Sequence, residues 1–310
     1  MSGTTDRSEL FERSVSFPDF EARDRLQRLI GLEHQKDRLS KTLGLLVNES
    51  ALSRWADKFH KEADQVLDVV LRRPPLVVLA GDVGSGKTEL AETIGDTVAR
   101  QEDIDIQLFP LSLSTRGQGR VGEMTQLISS AFEYVVEEGR RLKSDSGSAR
   151  GGIILLVDEA DALAQSRENS QMHHEDKAGV NAFIRGIDRV ATGRLPVAVV
   201  MCTNRLGALD PAIKRRCAEI LTFSRPDENQ RFNALKGPLS ELGFQAGDIQ
   251  KLVQITGPCE GRDFGYTFSD LTQRLIPSIV LDAYPNSAVS PSRALEVARL
   301  TIPTSPFRDE

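Results

Sequence analysis

The octapeptide Gly81-Asp82-Val83-Gly84-Ser85-Gly86-Lys87-Thr88 constrains this chain more than any other stretch, because of what stands on either side of it. Leu76-Val77-Val78-Leu79-Ala80 precedes it, an unbroken apolar run suited to a strand covered on both faces. Glu89 to Arg100 follows and reads as a helix. Strand, glycine-rich turn and helix start, in that order, build a phosphate site. The glycines let successive backbone N–H groups converge on phosphate oxygens, and the helix N-terminus adds partial positive charge. In such a cradle Lys87 reaches the β- and γ-phosphates and the Thr88 hydroxyl ligates Mg²⁺.

Three further apolar runs, Ile106–Leu113, Ile153–Val157 and Val197–Cys202, alternate with helix-compatible segments. That alternation predicts an α/β fold, a parallel sheet with helices on both faces. After Phe223 the pattern changes. Ser224-Arg225-Pro226-Asp227 reads as a turn and helix start, and Asn229–Leu242 and Ser269–Ala283 as helices of a second, smaller domain. The expected organisation is a short arm or fraying helix over residues 1–25, a large α/β domain over 26–224 and a small helical lid over 225–310. Trp55 and Phe59, at helical spacing, are expected to pack in the core or between domains.

The formal net charge of −6 over 310 residues speaks against a surface built to neutralise nucleic-acid phosphates. No apolar stretch approaches membrane-spanning length. Cys202, Cys217 and Cys259 are odd in number and lack metal-type spacing, which suits a reducing compartment. The expectation is a cytoplasmic protein with neither a membrane nor a direct nucleic-acid partner.

Ile153-Ile154-Leu155-Leu156-Val157-Asp158-Glu159 carries two carboxylates to the C-terminal end of a strand, where ligands of open α/β sheets bind. Asp158 is suited to hold Mg²⁺ through its water shell, and Glu159 to polarise an attacking water. Asn204, just past the strand Val197 to Met201, has an amide able to orient water or touch a γ-phosphate. Lys214-Arg215-Arg216-Cys217 follows the helix-initiating Asp210-Pro211. A guanidinium there either stabilises transition-state charge on a neighbouring subunit's nucleotide or answers a helix dipole.

In this order and spacing these elements resemble the AAA+ ATPases over roughly Leu29 to Tyr284. The resemblance implies ATP as the nucleotide. It makes Gly81 to Thr88 the Walker A motif, Asp158-Glu159 the Walker B motif, Asn204 sensor 1 and Arg216 the arginine finger, with Arg215 assisting. Ile30-Gly31-Leu32-Glu33-His34-Gln35-Lys36 is similar to the segment that packs on adenine in this superfamily, so Ile30 and Gly31 become nucleotide contacts and His34 a helix-surface residue. Asp158-Glu159-Ala160-Asp161-Ala162-Leu163, Arg167 and the segment from Val180 to Asp188 look like the pachytene-checkpoint (thyroid-receptor-interactor-like) remodellers, which act on HORMA-domain proteins.

That narrower resemblance implies a homohexameric ring that grips a peptide segment of a HORMA-domain protein in its pore and opens it. Similar bacterial proteins stand beside HORMA proteins and cyclic-oligonucleotide synthases (CD-NTases) in CBASS anti-phage defence, as the off switch. The implied pore loop is Arg116 to Glu123, with Arg120 where an aromatic usually stands, followed by Val121 and Gly122. His173 and His174 fall in the implied second pore loop, as solvated residues. Leu271 occupies the expected place of the sensor 2 arginine, and Arg274, one turn along, is the substitute candidate. Two other functions stay open from the residues: a clamp-loader-like or DNA-associated ATPase, suggested by Arg216-Cys217, and a nucleotide-gated scaffold without turnover.

Overall fold

The computed structural model describes residues 10–11, 13–60, 62–113, 122–144, 149–163 and 174–307. In chain order the elements are β1 (Val15–Phe17), α1 (Phe20–Arg28), α2 (Glu33–Val47), α3 (Glu49–Phe59), α4 (Asp64–Leu71), β2 (Leu76–Gly81), α5 (Lys87–Glu102), β3 (Ile106–Ser112), α6 (Glu123–Leu142) and β4 (Gly152–Asp158). After a 3₁₀ turn, Ala160–Leu163, come α7 (His174–Gly193), β5 (Val197–Thr203), α8 (Pro211–Lys214) and β6 (Cys217–Phe223). The last elements are α9 (Glu228–Glu241), α10 (Ala246–Ile255), a π-helical turn (Asp270–Leu275), α11 (Ile276–Ala283) and α12 (Pro291–Leu300).

The strands form one sheet in the order β1-β3-β4-β5-β2-β6. β3, β4, β5 and β2 run parallel, and β1 joins β3 antiparallel. Alternate strand residues explain the apolar runs. Val78, Phe109, Leu155 and Val199 share a buried cluster with Ile128, Phe132 and Val135 of α6 and Val180, Phe183 and Ile187 of α7. Their neighbours Val77, Leu108, Leu156 and Val200 are equally buried, so neither face of the sheet is wet. Each fully buried Phe or Leu of this kind contributes about 1.5–3 kcal/mol. No helix among the described residues is long and apolar enough to cross a membrane.

Chain contacts divide the molecule into two units. The first comprises the N-terminal segment to Gln27, His34–Ala80 and Thr88–Thr222. The second comprises Arg28–Glu33, Gly81–Lys87 and the chain from Phe223 onward.

Of the segment expected as an arm or fraying helix, the described residues of the first unit hold the edge strand β1 and the start of α1. Phe11, 2% exposed, stacks at 5.0 Å on Phe109 and 5.4 Å on Tyr134. Arg25 of α1 reaches Glu89 and Glu92 of α5 at 2.7–2.8 Å. A three-residue strand is too short for its period-two pattern to show, so its pairing is set by these tertiary anchors. Trp55 and Phe59 also depart from expectation: 46% and 60% exposed, they stack loosely on one another at 6.4 Å, and Ala56 is the buried position of α3.

The second unit has its own core of Leu235, Leu239, Ile249, Leu252, Tyr266, Leu271 and Leu275. Asp227 caps α9 in a reciprocal box with Gln230. Leu271 belongs to this core, which explains why it is not a charged residue. The buried Asp270 ties the unit together by accepting from the backbone N–H groups of Thr267 and Thr304 and from the Thr304 hydroxyl. Burial pushes its carboxyl up, but these hydrogen bonds outweigh that and hold it below the ordinary carboxylate value.

Candidate nucleotide site

The turn between β2 and α5 is shaped by two close approaches. A side chain at Gly81 would collide with the Phe223 carbonyl, so the loop can pass there only as bare backbone. Gly84 sits at φ 71°, and a Cβ on it would meet Thr267 Oγ1 at 2.8 Å and Ser269 Cβ at 2.9 Å. Its carbonyl accepts from the Ser269 N–H at 3.2 Å. Asp82 is anchored by its side chain: Arg225 Nε donates to it at 2.7 Å and the Phe307 N–H at 3.1 Å. Arg225 also donates to the Gly265 carbonyl at 2.7 Å and lies over the Phe264 ring. The Lys87 ammonium, 6% exposed, donates to the Gly81 and Asp82 carbonyls at 2.9 and 2.8 Å. A glycine-lined backbone turn with an inward ammonium and a following helix start is a donor set that fits a polyphosphate.

Ile30 and Gly31 lie in the same unit as this loop. Gly31 abuts the side chains of Gln230 and Phe268, and its carbonyl accepts from Gln230 Nε2 at 2.7 Å. Ile30 is 38% exposed. Gln230 and Phe268 are neighbours that sequence reasoning missed. The signal for Gln230 was its place three residues after Asp227, which marked only a helix cap. Arg274 is engaged by Asp270 at 2.9 Å and approaches Thr304 Oγ1 at 3.5 Å.

The chemistry-bearing side chains of the first unit meet at the C-terminal ends of β3, β4 and β5. Ser112 and Asp158 are register partners at the last position of their strands. Thr88, in the first turn of α5, donates its hydroxyl to Asp158 Oδ1 at 3.3 Å. A hydroxyl and a carboxylate are hard oxygen donors, and together they fit a Mg²⁺ that keeps waters and phosphate oxygens for the rest of its shell. Glu159 has φ 53°, a left-handed backbone that costs a non-glycine residue about 1–2 kcal/mol. Its N–H donates to Asp158 Oδ1 at 2.8 Å, and its Oε2 accepts from the Ser112 hydroxyl at 3.3 Å. The bend turns the Glu159 carboxylate off the strand axis and Ser112 holds it there.

Asn204 follows the end of β5 and is bonded to Asp161 through both its backbone and its amide. Arg216 forms a two-pronged pair with Asp188 of α7, Nε at 2.7 Å and Nη2 at 3.0 Å, and donates Nη1 to the Ala212 carbonyl. The Asp188 hydrogen bond raises the guanidinium pKa above its ordinary value. Arg215 caps α8 and is exposed. Burial pushes the neighbouring Cys217 thiol up to about 12, so it is no nucleophile near neutral pH. Gly122 caps the start of α6 at φ 87°. Arg120, Val121 and His173 lie outside the described residues, as does the side chain of His174.

The AAA model, the ATPase family associated with various cellular activities, matches residues 77–225, from β2 past β6. The protein named CD-NTase-associated protein 6 of Escherichia coli strain MS 115-1 is 65% identical over 301 residues, 97% of each chain. A chain in the structure of the E. coli MS115-1 HORMA:CdnC:Trip13 complex superposes with a TM-score of 0.91 at 63% identity, covering 98% of this chain and 99% of that one. The structure of Rhizobiales Trip13 matches with a TM-score of 0.75 at 54% identity, covering 96% and 100%. Kinship at that level over almost the whole length places the chain in the AAA ATPase family, among the relatives of CD-NTase-associated protein 6.

Proposed function

We propose that the chain is the ATP-driven remodeller of a bacterial HORMA-domain protein, working as a homohexamer and switching off a CD-NTase signalling complex in CBASS anti-phage defence. The observation that carries this reading is the near-complete match to a chain of the E. coli MS115-1 HORMA:CdnC:Trip13 complex. Within it, the phosphate loop from Gly81 to Lys87 cradles ATP, and Ile30 and Gly31 contact its base. Mg²⁺ at Thr88 and Asp158 supplies charge neutralisation on the phosphates. Glu159, steered by Ser112, accepts a proton from the attacking water, and Asn204 assists. Arg216, with Arg215 beside it, serves the nucleotide of the adjacent protomer as its developing charge peaks. In this reading Arg216 leaves Asp188 when a neighbour's triphosphate arrives, and Arg274 contacts nucleotide as sensor 2. The loop through Arg120, Val121 and Gly122 touches the captured peptide.

The test is reconstitution with a cognate HORMA-domain protein and CD-NTase. ATP should release the HORMA protein from the synthase and lower cyclic-oligonucleotide output, and Glu159→Gln should bind both without releasing either. Undiminished synthase output at full ATP turnover would overturn the assignment of substrate.

A further inference from the structure

The Asp158-Glu159-Ala160-Asp161 segment carries a third carboxylate that neither Mg²⁺ nor water activation uses. It lies in the 3₁₀ turn straight after β4, and β4 and β5 are parallel neighbours with Val157 opposite Met201. That register brings Asp161 to the end of β5. There its Oδ1 accepts from the Thr203 hydroxyl at 2.7 Å and from the Asn204 N–H at 2.9 Å, while its Oδ2 accepts from Asn204 Nδ2 at 3.0 Å. Thr203 is 1% exposed, so this anchor is fixed on its buried side.

An amide and a carboxylate can meet in one sense only. A carboxylate offers acceptors, so the NH₂ of Asn204 must face Asp161, and the carbonyl oxygen is the end turned away from it. We propose that Asp161 is a positioning residue for hydrolysis: it fixes the Asn204 amide so that its carbonyl oxygen, an acceptor, orients the attacking water. The opposite orientation would set the carbonyl oxygen against the Asp161 carboxylate, acceptor facing acceptor, and the Asp161 contact disfavours it. This inference rests on the reading that Asn204 takes part in ATP hydrolysis.

Asp161→Asn tests it with almost no change of shape. The new amide still accepts from Thr203 and from the Asn204 backbone, but it now turns an NH₂ toward Asn204, which must rotate to match. We expect kcat for ATP to fall tenfold or more, with KM and directly measured ATP affinity within about twofold of wild type. Asn204→Ala should lose a similar factor, and the double variant should be no slower than Asn204→Ala alone. Asp161→Ser, too short to reach the amide, should repeat the kcat loss, and it decides the matter should Asp161→Asn melt early. Wild-type turnover in a folded Asp161 variant overturns the proposal. So does a raised KM at unchanged kcat, which would mark a phosphate contact, or losses that multiply in the double variant. Full turnover by Asn204→Ala would overturn the parent reading of Asn204, and this inference with it.

Discussion

The two sets of residues proposed to serve ATP, the phosphate loop and the strand-end cluster, are built in different ways. The phosphate loop works with backbone. Its shape comes from close approaches, Gly81 to the Phe223 carbonyl and Gly84 to Thr267 and Ser269, and atoms are what it cannot accept. The strand-end cluster works with side chains. Thr88, Ser112, Asp158, Glu159, Asp161 and Asn204 are held by donor–acceptor pairing at 2.7–3.3 Å, and a change of polarity is what it cannot accept. Binding and turnover should therefore fail separately, under different kinds of substitution.

The largest effects test that separation directly. Lys87→Ala removes the ammonium that lies within the cradle and should abolish measurable ATP binding and hydrolysis together. Glu159→Gln keeps shape and loses the proton acceptor. Its turnover should fall by about 10²–10⁴-fold while ATP affinity, read by calorimetry, stays close to wild type. Wild-type-like turnover by Glu159→Gln would move the base elsewhere. Gly84→Ala comes next. A methyl group at φ 71° and 2.8 Å from Thr267 Oγ1 should weaken ATP affinity by more than tenfold, yet leave kcat at saturation within a few-fold. An equal fall in both would join the two regions into one functional device.

How much of this was legible in the sequence follows from the same contrast. Gly81 to Thr88, the strands from Leu76, Ile106, Ile153 and Val197, and the change to helices after Phe223 could be read, because buried parallel strands, glycine turns and helix starts leave local patterns, whereas the membership of Arg28–Glu33 and Gly81–Lys87 in the second unit could not. Cys217–Phe223 escaped notice as a strand: Glu219 and Thr222 interrupt it, and Glu219 is there to receive Arg38 and Thr42 of α2. Val15–Phe17 was hidden by its brevity. The wiring of the strand-end cluster was hidden for a deeper reason. Ser112 and Glu159, or Asp161 and Asn204, are 47 and 43 residues apart, and only the sheet register makes them neighbours. Asp82–Arg225, 143 residues apart, is another such pair.

That last pair sharpens the comparison, because there, as at Lys87, the phosphate loop does depend on side chains. Asp82 and Arg225 are 16% and 13% exposed, so their hydrogen bond is worth about 1–2 kcal/mol rather than the little expected of a surface pair. Arg225→Lys cannot hold Asp82 and the Gly265 carbonyl together. It should lower the thermal midpoint and weaken ATP affinity several-fold at unchanged kcat. Unchanged affinity would show that the glycine approaches alone hold the loop.

The smallest effect concerns the bend at Glu159, where the strand-end cluster in turn depends on backbone. At φ 53° an L-residue is disfavoured by about 1–2 kcal/mol, and glycine is not, although glycine gives back about 0.5–1 kcal/mol through its freer unfolded chain. Glu159→Ala and Glu159→Gly both lack the carboxylate and its bond to Ser112, so they differ only in this balance. Glu159→Gly should be the more stable of the two by about 0.5–1 kcal/mol in chemical denaturation, with neither hydrolysing ATP. The reverse order would mean that the left-handed turn carries no strain, and that Ser112 and Asp158 steer Glu159 without having to hold it against its own backbone.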